Sequence, residues 1–154
     1  QKASMPATTD GSLYYPAIRE RRHPDCWVCA PKRTDGLALR FEVGDDGAVE
    51  GEFDCREEFT GYPGFLHGGV ASTLLDGAMT NCLMARGTPG LTARLEIRYR
   101  HPVLIKIPVV VRGWWENAGG PLHMLGAELV QEDRVVVSAT ARFMEYPEEP
   151  RGES

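Results

Sequence analysis

His67-Gly68-Gly69-Val70-Ala71-Ser72-Thr73-Leu74-Leu75-Asp76 sets two glycines at a helix start and one carboxylate inside that helix. Val70, Ala71, Leu74, Leu75, Ala78, Met79, Cys82 and Leu83 make the segment apolar almost all round, which implies burial on most sides. Gly87, with Pro89 just beyond, supplies the stop, so the helix is expected to end at 85–87. Asp76 is therefore misplaced for a residue whose task is solubility. At about 100° per residue, Ser72, Thr73, Asp76 and Thr80 share one stripe, with Gly69 above and Leu83 and Met84 below, and that stripe can line a cleft. Unpaired N–H groups at the helix start carry partial positive charge, and glycine lets a ligand approach the backbone. Such donors stabilise negative charge developing on a carbonyl oxygen. The same residues also read without chemistry: a Gly-Gly turn, a loop histidine and a helical Asp bonded to a buried neighbour.

Strand patterns flank the helix. Leu37, Leu39, Phe41 and Val43 alternate with polar or small residues, the turn Gly44-Asp45-Asp46-Gly47 follows, and Val49, Gly51, Phe53 and Cys55 alternate again, which predicts a β-hairpin. After the helix come four strand segments, around Leu95–Tyr99, Ile107–Trp115, Leu122–Val130 and Val135–Phe143. Upstream, Leu13 to His23 reads as a short helix. Two strands, one buried helix and four strands predict an α+β fold, with a curved antiparallel sheet of about six strands wrapped round the helix. One domain is expected over 13–146, with an unstructured segment at 1–12 and a charged tail at 147–154.

The formal charge of −5 argues against a nucleic-acid binder. No apolar run is long enough for a membrane span and no secretory core opens the sequence, so a cytoplasmic location is the expectation. Cys26-Trp27-Val28-Cys29, with His23 three residues earlier, invites a zinc or redox reading. Neither a second C-x-x-C nor a paired histidine supplies a fourth ligand, so the expectation is no metal and no cofactor.

The ordered series Cys26-Trp27-Val28-Cys29, Gly36-Leu37, Gly61-Tyr62-Pro63-Gly64, His67-Gly68-Gly69, Leu75-Asp76, Thr92, and Tyr99 followed by Pro102 resembles the hotdog-fold thioesterases, specifically the PaaI-like acyl-CoA thioesterases. The resemblance covers roughly residues 26 to 145 and implies a hotdog fold. It also implies that Asp76 acts as nucleophile or as base on water, that the Gly68 amide polarises the thioester carbonyl, and that Thr92 positions the water. His67 is expected to shape the helix entry. Gly69, Thr73, Met79 and Leu83 are expected to meet the substrate. Gly61 departs from family members that carry Asn there, Ala30 replaces a common glycine, and Lys106 falls where a turn glycine is frequent.

The implied partner is an acyl-CoA. Arg94, Arg98 and Arg100 alternate with Leu95, Ile97 and Tyr99, and read either as a solvated sheet face or as contacts to coenzyme A phosphates. One of Trp114 and Trp115 must face outward, which suggests a subunit contact. Competing functions are a non-catalytic acyl-thioester binding domain and an enoyl-thioester hydratase, the latter disfavoured because no G-D-x-N-P-like stretch is present. Gly68 and Asp76 lie eight residues apart, roughly 12 Å along a helix axis, so one carbonyl carbon cannot adjoin both. The site is therefore expected between two antiparallel helices of a homodimer, with pairing of dimers a further step.

Overall fold

The computed structural model describes residues 11–147, and side chains from Tyr14 onward. The segment expected to be unstructured and the charged tail lie outside the described residues, except that helix α1 (Gly11–Arg22) already begins at Gly11. There follow β1 (Glu42–Val43), β2 (Val49–Phe53), a 3-10 turn (Glu57–Phe59), α2 (Gly68–Arg86), β3 (Gly90–Tyr99), β4 (Val109–Gly119), β5 (Leu122–Gln131) and β6 (Arg134–Glu145). The strands form one antiparallel sheet in the order β1-β2-β4-β5-β6-β3. The α+β hotdog expectation is met, with one long helix held in a six-stranded sheet.

The sheet closes on α2 because the inward residues of its central strands and the helix are apolar together. Leu74, Leu75, Ala78, Met79, Cys82, Leu83 and Met84 are fully buried against Val109, Val111, Ala127, Leu129, Val137 and Phe143. Gly113 sets the closest approach, since a Cβ there would stand 3.0 Å from backbone and side-chain atoms of Ala78. On its other side α2 meets α1, where the buried Tyr15 hydroxyl donates to Asn81 Oδ1. Gly87, at φ 84°, ends α2 as expected and donates to Leu83 and Met84 carbonyls.

The first hairpin is shorter than the alternation suggested. Only Glu42–Val43 pairs with β2, because the Leu37 and Leu39 amides donate to Trp27 and Val28 carbonyls instead, at 2.8 Å each. Leu37, Leu39 and Phe41 are nonetheless buried, so the alternation reported their shared face correctly and their hydrogen-bond partner wrongly. Trp115 packs toward the core with its Nε1 donating to His123 Nδ1. Trp114 lies over Gly126, where a Cβ would come within 2.7 Å of the ring, so the chain itself partly covers the outward tryptophan. Lys106, at φ 76°, holds the left-handed conformation that a glycine adopts without strain. No described helix is long and apolar enough to cross a membrane.

Candidate active site

Helix α2 begins in a way that frees one backbone donor. His67 is its N-cap, and its ring Nδ1 accepts from the Gly69 amide at 2.8 Å, which puts the proton of the neutral ring on Nε2. The Val70 and Ala71 amides donate to the His67 carbonyl. The Gly68 N–H has no acceptor among the described residues. Above it lies a cavity of about 730 Å³ lined by residues 60–62, 65–68, Ala71 and 99–103. Gly68 is exposed there, so the geometry provides a backbone donor, backed by a helix dipole, facing a largely apolar hollow. His67 thus caps the helix start through its own ring.

Tyr99 is the residue that sequence reasoning left without a role at this point. Its hydroxyl donates to the Gly68 carbonyl at 3.0 Å, and its ring lies close to Gly68, so a strand 31 residues away fixes the helix start. The only signal in the sequence was its place in the Tyr99/Pro102 pair.

Two turns further along, Asp76 meets Thr92. The Thr92 hydroxyl donates to Asp76 Oδ1 at 2.6 Å, joining the middle of α2 to the opening of β3. An irregularity in the β3–β6 ladder between Thr92 and Arg94 adjoins this contact, and such bulges commonly re-aim a side chain. Burial pushes the Asp76 carboxyl above its ordinary value, and the Thr92 hydrogen bond pulls part of the way back. A carboxylate moved toward neutral pH by desolvation and oriented by a hydroxyl is suited to accept a proton from water.

Of the remaining expected residues, Thr73 stands near the helix start but its hydroxyl donates to the Gly69 carbonyl at 2.9 Å, as does that of Ser72. Gly69 carries the His67 cap. Met79 and Leu83 are fully buried in the helix–sheet core, and neither lines the cavity beside Gly68. The helical stripe gave the angle of Leu83 round the axis without showing that the sheet covers that layer, and Met79 lay outside the stripe. Asp76 does not line that cavity either. Arg94 and Arg98 are exposed on β3, with Arg94 opposite Arg142, whereas Arg100 is both exposed and part of the cavity lining. The His23, Cys26 and Cys29 donor atoms lie within 4.8 Å of one another, although the sequence had counted them one ligand short of a metal site.

The family model for the thioesterase superfamily matches residues 63–138, which include the start of α2, Asp76 and Thr92. Human acyl-coenzyme A thioesterase 13 is 31% identical over 102 residues, covering 65% of this chain and 73% of its own length. Mouse acyl-coenzyme A thioesterase THEM4 is 31% identical over 93 residues, 58% of this chain, and the chain spans only 40% of that protein's length. The PaaI protein from the Escherichia coli phenylacetic acid degradation operon shares the fold, with a TM-score of 0.75 over 88% of this chain and 96% of its own at 14% identity. Shape and sequence agree, and this chain belongs to the thioesterase superfamily.

Proposed function

We propose that the protein hydrolyses an acyl-CoA or aryl-CoA thioester to the free acid and coenzyme A. The observation that carries this reading is the Asp76 carboxylate, the one acidic group of its helix, raised by burial and held by Thr92. The names of the human and mouse relatives supply the substrate class. Asp76 acts as base on water or as nucleophile, and its upward shift favours the base. The free Gly68 N–H donates to the developing oxyanion as the carbonyl carbon becomes tetrahedral. Collapse of that intermediate expels the coenzyme A thiolate. Arg100 and His101, both exposed at the cavity, would meet coenzyme A phosphates in this reading.

In one chain the Gly68 cavity and the Asp76–Thr92 pair are separate, with Asp76 eight positions along the helix from Gly68. The reading therefore includes a second copy, whose Asp76 meets the Gly68 amide of the first. The experiment is a hydrolysis screen across short, medium, long-chain and aryl coenzyme A esters with detection of free thiol, run on wild type and Asp76→Asn. Wild-type turnover of at least one ester and a loss on the order of 10²-fold or more in the variant are expected. Tight ester binding without turnover would identify a binding protein instead, and a folded Asp76→Asn variant with near wild-type turnover would remove Asp76 from the mechanism.

A further inference from the structure

Three donors from a sequence motif that the proposed hydrolysis does not use meet on the loop between α1 and β1. His23 Nδ1 and Cys29 Sγ are 3.8 Å apart, and one ligand atom each from His23, Cys26 and Cys29 lies within 4.8 Å of the other two. Bond lengths of about 2.3 Å to sulfur and 2.0 Å to nitrogen give tetrahedral edges of roughly 3.5 Å for S···N and 3.8 Å for S···S. The donors are thus already near the spacing a tetrahedral ion imposes. Among the described residues, no other three such side chains converge.

The loop is also built to hold that spacing. The Val28 N–H donates to Cys26 Sγ at 3.3 Å, and the Ala30 N–H to the Cys26 carbonyl at 3.0 Å, so the C-x-x-C turn is closed with an amide aimed at sulfur. Arg19 Nη1 reaches the His23 carbonyl at 3.0 Å, the Cys29 carbonyl at 3.3 Å and Cys29 Sγ at 3.8 Å. One guanidinium therefore ties the histidine and second cysteine together and offsets thiolate charge. The Trp27 and Val28 carbonyls are pinned by Leu37 and Leu39. Cys29 is buried, while His23 and Cys26 are half-buried, which leaves solvent a route to a fourth coordination position.

We propose that His23, Cys26 and Cys29 bind one thiophilic divalent cation of the zinc class, with water in the fourth position. Binding displaces the remaining thiol protons and gives a neutral pairing of two thiolates with the ion. The loop that carries the site rests on α2, where Val28 lies so close that a Cβ on Gly77 would meet its methyl at 2.8 Å, one residue from Asp76. An occupied site would brace this face of the helix. The proposal stands independently of the hydrolytic reading.

The test uses the full chain, reduced and stripped of metal, titrated with zinc against a chromophoric chelator and separately with cobalt. About one ion per chain is expected, with a thiolate-to-cobalt charge-transfer absorption that zinc bleaches. Zinc should raise the melting temperature by mass action. Cys26→Ser and His23→Ala should each weaken binding by more than about tenfold, the lower end of the loss caused by removing even an outer-shell partner. Cys55→Ala, outside the cluster, should leave binding unchanged. The proposal is overturned if the reduced wild type takes up less than about a tenth of an equivalent at micromolar free zinc, or if Cys26→Ser binds cobalt as tightly as wild type with the charge-transfer absorption undiminished. A reduced chain that forms a Cys26–Cys29 disulfide in air and never binds metal would show the cluster to be a dithiol.

Discussion

At Asp76 two opposing influences act on one proton. Burial raises the carboxyl, and the Thr92 hydroxyl at 2.6 Å lowers it by favouring the charged form. Removing the hydroxyl takes away the larger of the downward influences, so in Thr92→Ala the acidic limb of the kcat/KM profile should move to higher pH. Because a base works only when deprotonated, activity is lost as pH falls through the Asp76 pKa, and the variant should lose it sooner. The plateau rate should also fall by about tenfold, in line with loss of one hydrogen bond to a charged group. A pH–rate profile for wild type and variant checks both. A uniform drop with no movement of the limb would mean that Thr92 merely packs.

At the scale of elements, the contact between α2 and the sheet rests on a missing side chain. A Cβ at Gly113 would stand 3.0 Å from the carbonyl and Cβ of Ala78, and helix backbone cannot yield as the end of a flexible side chain can. Gly113→Val should destabilise the fold by about 1–3 kcal/mol despite valine's preference for strands. Thermal melting would show a midpoint lowered by several degrees, while an unchanged midpoint would mean that the helix can lift off the strand freely. Helix α2 was legible because an unbroken apolar face, a glycine-rich start and a glycine stop all point to one element. The first hairpin was overread because alternation at Leu37, Leu39 and Phe41 encodes which side is buried, whereas their amides found partners near the cysteine motif. Asp76 and Gly68 stood out as chemically odd within their own helix. Tyr99, acting on Gly68 across 31 residues, and the convergence of His23 with two cysteines depend on how the chain folds back, which local pattern does not encode.

Over the whole molecule, the Gly68 N–H and the Asp76 carboxylate face different surroundings, and β3 is an edge strand with Leu91 and Tyr99 more than half exposed. Such an edge favours pairing with another strand. Asp76→Asn and Gly68→Pro should each be inactive alone. The proline removes the free N–H yet is tolerated at the first helical position. A purified mixed dimer should regain one intact site of two, and so half the wild-type activity, because each chain supplies what the other lacks. A fully active monomer would contradict assembly between chains. The strand order carries a consequence for biosynthesis. Although β3 directly follows α2, its ladder partner is β6, with Leu91 opposite Met144 and Thr92 opposite Phe143. A chain leaving the ribosome therefore exposes Thr92 long before the strand that holds it has emerged. Long-range pairing of this kind forms slowly, so a chain released short of its last strand would lack the support that brings Thr92 to Asp76.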